Sequence, residues 1–139
     1  MKSKIKHLLA EIENSKLGSH IQFTGFVTQP ARKMACFDLL VLTTYCETFG
    51  LVLVEAMRAG VAVIGTNAGG VPEIIEHEKT GLLIPAGNSD ALADALSRLY
   101  DDVGLRQELA LSGKRRADIK FNDEMHFNKL ENLLKTGGV

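Results

Sequence analysis

Two short apolar runs, Leu39-Leu40-Val41-Leu42 and Val61-Ala62-Val63-Ile64-Gly65, stand on either side of a helix-forming stretch, and that order narrows the fold more than any other feature. An unbroken apolar run is the pattern of a strand covered on both faces, as in a parallel sheet. The intervening Leu51-Val52-Leu53-Val54 has strand character too, but Glu55-Ala56-Met57-Arg58-Ala59 extends it with helix formers and Gly60 supplies a stop. Residues 38–65 therefore read as strand, helix, strand, joined by a right-handed crossover.

The remaining patterns add elements around this unit. Ile5, Leu8, Leu9 and Ile12 follow the i, i+3, i+4, i+7 rule, which predicts an amphipathic, packing helix over residues 2–16, ended before Gly18. Ile21-Gln22-Phe23-Thr24 reads as a short strand halted at Gly25, and Gln29-Pro30 restarts the chain into a segment ending near Cys36. After the loop Thr66-Asn67-Ala68-Gly69-Gly70, Pro72 suits the first turn of a short helix, with Glu73 and Glu76 complementing its dipole. Gly81-Leu82-Leu83-Ile84-Pro85 reads as a last strand. From Ser89 onward three helical stripes follow: Leu92, Ala95, Leu96 and Leu99; Leu105, Leu109 and Ala110; Met125, Leu130, Leu133 and Leu134. No repeat, low-complexity tract or linker interrupts them, so residues 1–139 are expected to form a single α/β domain.

Composition excludes several function classes. A length of 139 residues with 45% hydrophobic content suits a globular domain with a real core. Sixteen Lys plus Arg against seventeen Asp plus Glu give a formal charge of -1, so nucleic acid or an anionic membrane is not expected as the main partner. The first residues break their apolar positions with charge, unlike a secretion signal, and no later run is long enough to span a bilayer. Cys36 and Cys46 lack metal-ligand spacing and suit a reducing cytoplasm. His77 lies between Glu76 and Glu78, but neighbouring helical positions diverge and do not converge on one ion, so no metal site is expected. Lys114-Arg115-Arg116 reads as a solvated helix face. No Ser, His and Asp set is recognisable, and no Gly-x-Gly-x-x-Gly follows a strand, which argues against a dinucleotide oxidoreductase.

The chemistry concentrates between Glu47 and Glu55. Phe49-Gly50 opens the predicted helix, so free backbone N–H groups and the positive end of the dipole meet there and favour an anion such as phosphate. Glu47 sits just before this corner, and Glu55 lies five residues past Gly50, roughly 7.5 Å further along the axis. An ionised carboxylate accepts two hydroxyl hydrogen bonds and so suits a vicinal diol. An anion with hydroxyl groups on both sides fits this layout, and a nucleotide sugar is such a molecule. The plainer reading gives Glu55 an ion pair with Arg58 and Glu47 a dipole-complementing role, and makes Gly69 and Gly70 simple loop formers.

Taken in order, these motifs resemble a known family. Phe-Thr-Gly-Phe-Val, Asp-Leu-Leu-Val-Leu, Glu-Thr-Phe-Gly-Leu-Val-Leu-Val-Glu-Ala-Met, Gly-Gly-Val-Pro-Glu, and Thr-Gly-Leu-Leu-Ile-Pro with Asn-Ser-Asp after it run from about His20 to Leu134. They resemble the C-terminal, donor-binding domain of the group 1, or family 4, retaining glycosyltransferases of GT-B fold. The resemblance implies a Rossmann-like three-layer domain with a parallel sheet. It also implies transfer of a sugar from a nucleoside diphosphate to a hydroxyl acceptor with retention, without a metal or other cofactor. Glu55 would hold the ribose hydroxyls and Glu47 would lie beside the transferred sugar. Phe49, Gly50 and Leu51 would offer N–H groups to phosphate or sugar, and the backbone of Gly25, Phe26 and Val27 would face the base.

Two departures stand out. Thr43-Thr44 replace the family's usual Pro-Ser, and nothing before His20 matches the earlier strands, the Arg and Lys that clamp the diphosphate, or the acceptor-binding N-terminal domain. The chain is therefore expected to be a partial domain, inactive alone, that works with an N-terminal acceptor domain in the cytoplasm or at the membrane periphery. A non-catalytic nucleotide-sugar-binding or assembly module is the alternative. In a sheet ordered 3-2-1-4-5-6, loss of the first two strands would strip the strand near residues 20–23 of its neighbours and leave one edge of residues 38–43 unpaired. Rearrangement at that edge, self-association or reduced stability should follow.

Overall fold

The computed structural model describes residues 2–25, 27–28 and 30–122. The Met125, Leu130, Leu133 and Leu134 stripe and Phe26 lie outside the described residues. Three parallel strands form one sheet in the order β1 (Leu39–Leu42), β2 (Ala62–Thr66), β3 (Leu82–Ile84). β1 and β2 run in register from Leu39 opposite Ala62 to Leu42 opposite Gly65, and β3 pairs with β2 from Ile64 opposite Leu82. The helix between the first two strands, α3, spans Leu51–Arg58 and ends at Ala59, whose N–H reaches the Glu55 carbonyl. Helix formers and the Gly60 stop thus outweigh the strand character of Leu51–Val54.

β2 is the central strand, and every one of its residues is buried. Its successive side chains point to opposite faces. Val63 joins a cluster with Leu53, Met57, Val71, Ile74 and Ile75, whereas Ile64 joins Leu82, Ile84, Ala95, Leu99 and Leu109. The first cluster packs under α3 and α4 (Val71–Ile74) and takes Ala117 from the end of α6 (Val103–Lys120); the second packs under α5 (Ser89–Asp101) and takes Leu109 from the start of α6. Helices therefore cover both faces of a parallel sheet, the Rossmann-like three-layer arrangement. Asn88 caps α5 through its Oδ1 and the Ala91 N–H at 2.9 Å, and Asp102 caps α6 through the Leu105 N–H at 2.8 Å.

The structure departs from the sequence reading near its start. α1 forms over Lys2–Asn14, but Leu8 and Leu9 are 47% and 37% exposed, so its stripe does not pack into the core. Leu9 and Ile12 instead line a surface groove with Ile21 and Phe23. Residues 21–25 are not a strand, because no neighbouring strand among the described residues supplies a ladder. The segment after Gln29 is a short helix, α2 (Pro30–Met34), whose Met34 enters the core. Among the described residues β1 pairs on one side only, as does β3, so the sheet has an open edge at each. α4 ends before Glu76, so that carboxylate does not complement its dipole; it pairs with Arg116 instead.

Candidate functional site

The sharpest corner in the chain lies between β1 and α3. Gly50 is the N-cap of α3 and adopts a left-handed conformation, φ 77°, which a side-chain-bearing residue takes at a cost. It is buried, and a Cβ there would press on Ile74, Leu53 and Glu47. One oxygen of the Glu47 carboxylate accepts the Gly50 N–H at 3.2 Å and the Phe49 N–H at 3.4 Å. These bonds are long for a charged acceptor, and they engage two of the three N–H groups read from the sequence as ligand donors. The next two, of Leu51 and Val52, have no acceptor among the described residues. The open donors thus sit one residue further into the helix than the sequence placed them.

Glu55 lies on the exposed side of α3, and its carboxylate makes no hydrogen bond or ion pair among the described residues. Arg58 donates to the Phe121 carbonyl at 2.6 Å. Phe49 and Leu51 are exposed, and the Phe49 ring meets Phe121 edge-on at 6.1 Å between centroids. Gly25 is exposed with φ 61°, and Val27 is half-buried. The structure therefore places Glu47, Phe49, Gly50 and Leu51 at the tip of α3 and Glu55 one turn further along that helix, while Gly25 and Val27 belong to the irregular segment before α2.

Gly69 and Gly70 act on this corner through the backbone. A Cβ on Gly69 would overlap the Glu47 carbonyl, and one on Gly70 would overlap that of Thr48. The Gly70 N–H donates to the Glu47 carbonyl at 2.8 Å. Only glycine permits so close an approach, and sequence alone could flag the pair but not its partner. A cleft of about 280 Å³ opens at the carboxyl ends of the strands, lined by Thr43, Thr44, Tyr45, Thr66, Pro85 and Asn88; Glu47, Gly50 and Glu55 do not line it. Open parallel sheets bind ligands at that end.

Two cations read as a solvated face have a structural task. Lys114 Nζ donates to the Arg58 carbonyl at 2.7 Å, closing the C-terminus of α3. Arg116 donates to the Ile74 carbonyl at 2.7 Å and the Glu73 carbonyl at 2.9 Å, closing that of α4. Neither reaches the tip of α3. His77 does not lie on a helix: its Nδ1 accepts the Leu83 N–H at 2.9 Å and ties the turn to β3. Among the described residues no three His, Cys, Asp or Glu are grouped to hold a metal ion, and no helix is long and apolar enough to cross a membrane.

Comparison with known proteins gives a consistent picture. The family described as Glycosyl transferases group 1 matches residues 2–116. N-acetyl-alpha-D-glucosaminyl L-malate synthase of Bacillus anthracis is 32% identical over 91% of this chain and 33% of its own length. Anabaena Alr3699/HepE, crystallised with UDP, superimposes at a TM-score of 0.93 with 29% identity, over 97% of this chain and 37% of that one. Its complex with UDP-glucose superimposes at 0.91. The C-terminal domain of the group 1 protein LpcC from Francisella tularensis superimposes at 0.80 with 31% identity, over 87% of this chain and 64% of that domain. The chain spans about a third of the length of the first two proteins.

Proposed function

We propose, from the premise that this chain belongs to the group 1 glycosyl transferases, that it is the donor-binding part of an enzyme that moves a sugar from a nucleoside diphosphate to a hydroxyl acceptor with retention. The observation that carries this reading is the helix tip at Gly50. Two N–H groups without acceptors point out of it, with the carboxylates of Glu47 before it and Glu55 beyond it. The N–H groups and the dipole suit the diphosphate, whose negative charge grows as the sugar leaves with oxocarbenium character. This stabilisation calls for no metal. Glu55, exposed and unengaged, has both oxygens open to the ribose diol. Glu47 exchanges its long bonds to Phe49 and Gly50 for hydroxyls of the transferred sugar, and so frees those donors as the ligand arrives. Gly25 and Val27 contribute backbone groups toward the base.

The HepE complexes, which hold UDP and UDP-glucose, support a nucleoside-diphosphate donor and make uridine the first base to test. An N-terminal domain supplies the acceptor site. Both thiols are exposed, as suits the reducing cytoplasm in which the enzyme works. Calorimetric titration of the chain with UDP and UDP-glucose tests the reading; absence of saturable binding to either, and to the corresponding GDP and ADP compounds, would sink it. The engagement of Lys114 and Arg116 at helix C-termini, away from the tip, favours one competing reading: a nucleotide-sugar-binding module without turnover. Binding that never yields transfer when the acceptor domain is supplied would select it.

A further inference from the structure

The Thr66 side chain is buried at 2% exposure where β2 ends, and both hydrogen bonds of its hydroxyl among the described residues, one given and one received, go to one residue. Oγ1 donates to the Thr44 carbonyl at 2.7 Å and accepts the Thr44 N–H at 3.2 Å. The backbone ladder between β1 and β2 stops at Leu42 opposite Gly65. Beyond that point the chain leaves the sheet, and a single hydroxyl replaces the donor and the acceptor that a further rung would have used. The Thr44 hydroxyl repeats the device, donating to the Cys46 carbonyl at 2.9 Å and accepting the Cys46 N–H at 3.2 Å. Glu47 comes next, with its carbonyl held by the Gly70 N–H.

We propose that Thr66 is the positioning residue of this site: its hydroxyl extends the sheet by one rung and fixes, through Thr44 and Cys46, where the Glu47 carboxylate stands. The inference rests on the donor-binding reading given above, and Thr66 acts on the site through Thr44 and Cys46. Its specificity comes from geometry. A buried hydroxyl that merely needed satisfying could bond to one carbonyl of its own strand, whereas this one crosses to the segment after β1 and grips both backbone polar atoms of a single residue. The grip falls three residues before Glu47.

Amide exchange measured by NMR on the 139-residue chain, read beside donor titration, tests the lock. In the wild type the Thr44 amide, which has no backbone acceptor, should be protected to within about tenfold of the β1 and β2 ladder amides. In Thr66→Val, which keeps the shape and loses the hydroxyl, the Thr44, Cys46 and Gly70 amides should exchange about tenfold faster while those of β3 and α5 do not change. Thr66→Ser should restore them. The same Thr66→Val change should weaken UDP-glucose by about tenfold and leave UDP unaltered, since Glu47 is assigned to the sugar and not to the nucleotide. Unchanged loop exchange, a uniform rise over the whole chain, or no rescue by serine overturns the proposal. Should Thr66→Val fail to fold, an unprotected Thr44 amide in the wild type overturns it equally. If the exchange pattern holds but the wild type ignores every donor, the lock stands and the donor reading falls; the converse result removes the lock alone.

Discussion

At the scale of single residues, the two carboxylates differ in what surrounds them, and their substitutions should differ accordingly. Glu55 is unengaged, so Glu55→Gln removes only its charge and is expected to weaken UDP binding by about ten- to a hundredfold, the range of a lost charge-assisted pair of hydrogen bonds. Titration calorimetry checks this, and unaltered affinity would remove Glu55 from the site. Glu47→Gln keeps an oxygen that can accept from Phe49 and Gly50, so UDP affinity should hold while transfer in the enzyme reconstituted with its acceptor domain falls. Glu78 offers a pH test away from the site. Its carboxyl is held below the ordinary value of 4.5, chiefly by hydrogen bonds from Arg98, with partial burial opposing them and the Arg98 charge adding to them. One of those bonds measures 2.7 Å. A depressed carboxyl contributes stability above its unfolded pKa and loses it as pH falls through the folded one. Arg98→Ala should therefore lower the melting temperature at pH 7 by on the order of 2 °C, because both groups are exposed, and the gap should close below about pH 4.5. A gap that persists at pH 3 would assign the loss to packing.

Among the elements, α3 joins the core to the site. Leu53 is fully buried beneath it, and its Cδ1 lies where side chains added at Gly50 or Gly65 would press. Leu53→Ala should cost about 2–5 kcal/mol in a urea melt, with the loss concentrated where the helix tip rests on Ile74. A cost under 1 kcal/mol would show that the corner stands without this packing. Much of this element level was legible in the sequence because its signals are local. Apolar runs named β1, β2 and β3, and Gly60 stopped α3. Three things were not legible, and each depends on residues distant in the chain. Ile21–Thr24 has strand composition but no neighbour to pair with among the described residues. The Leu8 and Leu9 stripe has helical period but no surface to cover it. Lys114 and Arg116 carry charge whose use is set by the carbonyl ends of two other helices. The candidate site divided the same way: its residues were readable, whereas the contact of Gly69 and Gly70 with the Glu47 loop and the Thr66 bridge needed the fold.

For the molecule as a whole, both outer strands of the sheet, β1 and β3, pair on one side only among the described residues, and the β1 side carries exposed apolar side chains. Val41, on β1, is 38% exposed, and nearby Phe37 is 50% exposed. An apolar edge with free ladder groups invites another chain, so the protein should show concentration-dependent mass by size exclusion with light scattering. Val41→Lys should return it to a monomer; a wild type that stays monomeric at every concentration would refute the edge as an adhesive surface. At the opposite end of the architecture, α6 lies across the C-termini of two helices. Lys114 grips α3 at Arg58, Arg116 grips α4 at Glu73 and Ile74, and Gly113 comes so close to the Thr80 carbonyl that a side chain there would collide with it. Such a crossbar ties the carbonyl ends of α3 and α4 to one and the same helix, so the element that bears Glu55 and the one that follows the Gly69-Gly70 pair share a single anchor.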